Sequence, residues 1–139
     1  MIYEVRLIKK GMTKQELIAR NRKFAIDVLQ VIESLPSNRI YDALVRQLVR
    51  CSTSVGANYR AACRAKSTKD FINKLKIVEE EADESYYFLD LLHEIDNGKN
   101  KEKLRTLLTE SDQLVSIYVA SLKTMKEKVA AEKIVIRKS

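Results

Sequence analysis

Five arginines of one stretch, Arg39, Arg46, Arg50, Arg60 and Arg64, are the residues whose type and spacing best suit a chemical task. A guanidinium presents its N–H donors in a fixed fork that matches phosphate oxygens, and neutralising the phosphates of a polyanion releases its counterions. With Arg46 set at 0° on a helical wheel, Arg39 falls at about +20°, Arg50 at about +40°, Arg60 at about −40° and Arg64 at about 0°. All five share a strip roughly 80° wide, and no acid stands between Asp42 and Arg64 to interrupt it. With Lys66 and Lys69 just beyond, the strip is a candidate for binding RNA or DNA through backbone phosphates. The same charges suit a second use. Glu79, Glu80, Glu81, Asp83 and Glu84 could meet the arginines in the same or an adjacent subunit, and the pattern would then be an assembly code or a contact with a protein partner.

Catalytic arrangements find no comparable support. A di-iron bundle needs inward glutamates and two Glu-x-x-His pairs, whereas this chain has one histidine, His93, preceded by Asp90 in the Asp-x-x-His sense. Near the end of a helix a histidine is favoured by the partial negative charge there, which is the plainer account of His93. The Arg-x4-6-His pattern of helical ribonucleases is missing, because residues 86–88 are Tyr-Tyr-Phe. No Gly-rich phosphate loop, CxxC pair or Ser/His/Asp set with its local signature is present. Cys51 and Cys63 lie twelve residues apart, about 18 Å along a helix, and cannot bridge. The expectation is a protein that is not an enzyme, with no catalytic residues, no metal and no cofactor.

The elements that position the arginines follow from composition and spacing. A chain of 139 residues with three glycines and one proline is long enough for one buried core and too poor in turn residues for a sandwich of strands. Thr13 with Glu16 predicts a capping box opening a first helix, which Pro36 closes. Ser37 or Asn38 caps a second helix to about Ala65. Ser67 or Thr68 opens a third, ended by Asn97 and Gly98, and a fourth runs from about Lys101 to Lys128. Short links force neighbouring helices to run antiparallel, so the fold class is all-α, an up-down-up-down four-helix bundle over residues 13–128. Residues 1–12 and 129–139 are expected to be short extended tails, because 2–8 and 133–137 are β-branched and strand-like. No segment approaches a membrane span or a signal peptide, which predicts a cytoplasmic protein without a membrane partner. The net charge of +7 is uneven: residues 1–70 hold fourteen Lys and Arg against six Asp and Glu, and the remainder twelve against thirteen. That imbalance again suggests an anionic partner.

The second helix is apolar on two faces. Leu44, Leu48, Cys51, Val55 and Ala62 form one, and Val45, Val49, Gly56 and Cys63 the other. One apolar face suffices for a lone bundle, so the second is expected to form an oligomer interface with another copy of the chain. Gly56, Ala57, Ala61 and Ala62 would let backbones approach closely there.

From about Asn21 to Met125 the chain resembles the four-helix-bundle family of proteins encoded within intervening sequences of large-subunit (23S) ribosomal RNA genes. The resemblance rests on Gln47-Leu48-x-Arg50-Cys51-x-x-Ser54-Val55-Gly56-Ala57-Asn58, on Ser67-x-x-Asp70-Phe71-Ile72-x-x-Leu75-x-Ile77, and on Glu84. The family pattern commonly continues after the asparagine with a small-x-Glu-Gly run. Here Tyr59-Arg60-Ala61-Ala62 follows Asn58, so a role tied to that glutamate does not transfer. The resemblance implies a closed homo-oligomer, typically a pentamer. It also implies kinship with the accessory protein of diversity-generating retroelements, a basic ring that binds nucleic acid and a reverse transcriptase. No enzymatic activity is attached to the family. Asn58 and Glu84, which match the pattern, are expected to make a structural polar contact between the second and third helices.

Overall fold

A computed structural model describes residues 12–138, and all regular structure among them is helical: α1 (Lys14–Glu33), α2 (Arg39–Cys63), α3 (Thr68–Ile95) and α4 (Lys101–Lys138). The first boundary is the expected capping box. The Thr13 hydroxyl accepts from the Glu16 amide at 3.1 Å, and the Glu16 carboxylate accepts from the Thr13 amide at 3.2 Å. Of the two candidate caps for α2, Asn38 takes the role, its side-chain oxygen accepting from the amides of Ile40 and Tyr41. Ser67 caps α3 by accepting from the Asp70 amide. Beyond α3, Gly98 adopts φ +104°, the left-handed region that favours glycine. The Asp96 carboxylate accepts from the amides of Gly98 and Asn100 and fixes that turn. Asn100 in turn accepts from the Ser34 hydroxyl at 2.9 Å, tying the α3–α4 link to the end of α1.

The helices pack as neighbours around one core in the up-down-up-down order. Leu17, Phe24 and Val28 of α1 meet Leu48, Val55 and Tyr59 of α2, Leu75, Leu89 and Leu92 of α3, and Leu104, Leu114 and Tyr118 of α4 in that interior. Leu29 of α1 is left 40 % exposed.

Two features depart from expectation. α4 does not stop at Lys128 but continues to Lys138, so residues 133–137 form neither a strand nor an extended tail. The segment Val129-Ala130-Ala131-Glu132-Lys133 is rich in strong helix formers and contains no Gly or Pro. Extending an existing helix adds one hydrogen bond per residue fixed, and that outweighs the small helix penalty of Ile134, Val135 and Ile136. The N-terminal strand-like segment 2–8 lies outside the described residues. Secondly, Gly56 of the further apolar face of α2 lies against α1 of the same chain. A Cβ on Gly56 would stand 3.4 Å from the Asn21 Cβ, and Cys63 packs against the core. Beside this close approach, the Tyr118 hydroxyl donates to the Asn21 side-chain oxygen at 2.6 Å, and the rings of Tyr59 and Tyr118 lie 5.9 Å apart. A node of α1, α2 and α4 thus uses Gly56 inside the subunit.

Candidate nucleic-acid interface

The arginine strip exists as a surface because α2 runs unbroken for 25 residues. Its core side is set by Leu48, Cys51, Val55, Tyr59 and Ala62, all buried. The opposite side must then face outward, and Arg39, Arg46, Arg50, Arg60 and Arg64 are all exposed, as are Lys66 and Lys69 at the α2–α3 corner. Their spread matters as much as their exposure. Arg39 and Arg64 are 25 positions apart, about 37 Å along the helix, so the strip is a ridge and not a compact pocket.

Arg50 differs from the others. Its guanidinium donates to both oxygens of Glu81, at 3.1 and 3.3 Å, to Glu84, and to the Gln47 side chain at 3.3 Å. The hydrogen bond it donates to Glu84 is the main influence holding this guanidinium protonated above its ordinary range. Desolvation opposes it, and the charges of Glu81 and Glu84 add to it. Pairing of an α2 arginine with the α3 acids therefore occurs within one chain. Arg39, Arg46, Arg60 and Arg64 have no ion-pair partner among the described residues.

The expected Asn58–Glu84 contact is not formed. The Asn58 amide donates to the Ser54 carbonyl of its own helix at 2.9 Å, while Glu84 is engaged by Arg50. The polar link between α2 and α3 is made through Arg50, because the long guanidinium spans the gap between helices and a half-buried asparagine amide satisfies itself locally. Of the residues assigned to an oligomer interface, Gly56 is closely approached by α1 and Cys63 is packed on the core, while Val45 and Val49 are half-buried.

One basic feature escaped the sequence reading. Lys69, Ile72 and Lys76 of α3 line a groove with Lys126, Val129 and Lys133 of α4, on the order of 580 Å³ in volume. The two lysine pairs each recur at seven residues, a signal visible in sequence, but their facing one another depends on a long-range pairing of helices. Lys126 also acts electrostatically on Glu79, a carboxyl that burial and the nearby Asp83 and Glu80 push above the usual range.

His93 lies in the last turn of α3, and its ring Nε2 is buried without a hydrogen-bond partner. Among the described residues, no group of three or more His, Cys, Asp or Glu side chains is placed to hold a metal ion. No helix among them is long and apolar enough to cross a membrane.

The family model described as 23S rRNA-intervening sequence protein matches residues 13–120. A crystal structure of a protein of unknown function from the S23 ribosomal protein family of Bacteroides thetaiotaomicron superimposes with a TM-score of 0.71 at 28% sequence identity, covering 81% of this chain and 99% of that one. No curated protein matches.

Proposed function

The chain belongs to the 23S rRNA-intervening sequence protein family, and from that premise we propose that it is a non-enzymatic, homo-oligomeric helical scaffold that binds RNA or DNA through backbone phosphates. The observation that carries the reading is that Arg39, Arg46, Arg60 and Arg64, on an exposed helix face, have no ion-pair partner among the described residues. Cations with a structural task are normally engaged by acids, as Arg50 is; four exposed guanidinium groups without such partners leave charge available to a polyanion. Lys66 and Lys69 continue the same surface. Contacts of this type carry little base information, so binding should be strongly salt-dependent and weakly sequence-dependent. The ligand implies a cytoplasmic setting.

Self-association is proposed on different grounds from those the sequence offered. Gly56 and Cys63 serve the subunit's own packing, but Ile40, Ile77, Tyr87, Ile95 and Val119 remain between 43 and 67 % exposed. Large apolar side chains in that number suit burial between copies, and a five-membered ring is the form the family resemblance implies.

Retention of a mixed RNA and DNA pool at low salt, for the native chain and for a variant with Arg39, Arg46, Arg60 and Arg64 all changed to Ala, tests the reading. The native chain should retain the pool and the variant should lose it while light scattering gives the same mass for both. If the variant retains the pool, the arginines do not bind nucleic acid. If its mass falls, they belong to an interface between subunits.

A further inference from the structure

The basic charge of the bundle is gathered at one end. Residues 60–76, around the α2–α3 corner, hold six Lys and Arg against one acid, and residues 123–138, the last turns of α4, hold six against two. The up-down-up-down order puts these two segments together. The opposite end is balanced, since residues 86–105 hold four of each sign. The groove between α3 and α4 lies within the basic end.

We propose that this groove seats a single strand of nucleic acid, with phosphates held between the Lys69–Lys76 pair on α3 and the Lys126–Lys133 pair on α4. The proposal rests on the nucleic-acid reading and adds to it a place and a strandedness. Each lysine pair repeats at seven residues, about 10.5 Å along its helix, so the groove presents two parallel rows of positive charge. Among the described residues Glu132 is the only acid lining it, against four lysines. Ile72 and Val129 line it with them, and apolar side chains of this kind suit the sugar and base faces between phosphates. No aromatic side chain among the described residues lines the groove, so base stacking contributes little and the phosphates dominate.

The geometry argues against two other occupants. Axes of packed helices stand ~8–10 Å apart; lysine rows carried on two such helices are spaced to bracket one backbone and not the body of a duplex. A second copy of this chain would have to bring acids to the groove. The densest acidic run is residues 79–84, and within it Glu81 and Glu84 are paired with Arg50, while Glu79 lies within the electrostatic reach of Lys126.

The test is fluorescence anisotropy with a short labelled strand of mixed sequence, as RNA and as DNA, and with the same sequence as a blunt duplex, over a salt series. The groove variant is Lys69→Gln, Lys76→Gln, Lys126→Gln and Lys133→Gln together. At about 0.7 in slope per phosphate contact on a single strand, it should flatten the dependence of log K on log salt by about 3 and weaken binding on the order of a hundredfold near 0.1 M salt. The same four positions changed to Arg should bind like the native chain. Arg39→Gln with Arg46→Gln, at the far end of the ridge, should cost less than about tenfold. A native chain that binds while the groove variant binds equally well overturns the groove and leaves the nucleic-acid reading standing. No binding by the native chain removes both. Equal affinity for the duplex, or a change in mass of the groove variant by light scattering, overturns the single-strand assignment. Co-sedimentation with phosphatidylserine vesicles that is lost in the groove variant would assign the surface to a membrane and overturn it as well.

Discussion

Replacing Tyr118 by Phe removes one oxygen from the centre of the bundle, and the consequence follows from what that oxygen does. Asn21 is fully buried, its side-chain oxygen accepts from Tyr118 at 2.6 Å, and its amide nitrogen has no partner. Burial holds the Tyr118 hydroxyl protonated well above the usual phenol range, so it acts as a donor at any ordinary pH. In Tyr118→Phe the Asn21 oxygen loses its donor as well, and stranding a buried polar group costs about 1–3 kcal/mol. Asn21→Leu strands the tyrosine hydroxyl and should cost a similar amount. Combined, the two changes replace both partners by apolar groups, which is close to neutral, so the double variant should be more stable than either single one. Urea unfolding followed by circular dichroism, at one fixed protein concentration, measures this. With a slope of about 1–3 kcal/mol/M, a loss of about 2 kcal/mol moves the midpoint by roughly 1 M. A Tyr118→Phe midpoint within error of the native chain, or a double variant as unstable as the two losses added, would refute the account of the node.

Three further outcomes follow from the same structure. Arg20 donates to both oxygens of Glu110, at 2.6 and 2.8 Å, and to Gln113, in a half-buried tie between α1 and α4; Arg20→Lys should lose most of its worth, about 1 kcal/mol in thermal unfolding, because an ammonium cannot make the fork. The Asp70 carboxyl is held below the usual range, chiefly by Lys74 and then by the Lys66 amide. Its contribution is therefore present above the ordinary carboxylate pKa and disappears as pH falls through the depressed value, so melting curves of Asp70→Asn and the native chain should differ at neutral pH and converge in acid. Cys51 is buried and desolvation raises its thiol pKa; a thiol reagent followed by peptide mapping should modify half-buried Cys63 first and Cys51 only on unfolding.

The parts of this fold written in local sequence were legible. Thr13 with Glu16, Pro36, Ser67 and Gly98 marked ends of helices through backbone chemistry that needs no tertiary context. The end of α4 was not, because β-branched residues at 134–136 signal a strand in isolation while a helix already formed simply continues through them. Gly56 was assigned to a contact between subunits because a helical wheel shows which face is apolar and not what lies against it; within the subunit Asn21, 35 residues earlier, stands beside it. Arg50 looked like its four fellow arginines until α3 placed Glu81 and Glu84 beside it. The lysines of α4 were overlooked for the corresponding reason, since facing Lys69 and Lys76 is a property of the folded bundle.

The central claim is that the exposed basic residues of α2 and the α2–α3 corner bind nucleic acid through phosphates, and the salt dependence of binding tests it most directly. Titration of labelled RNA and DNA of unrelated sequences should give similar affinities and a slope of log K against log salt of about −3 or steeper, as expected for four or more phosphate contacts. The same slope should flatten when Arg46, Arg60 and Arg64 are replaced. A slope near zero, or one unchanged by those replacements, would contradict it.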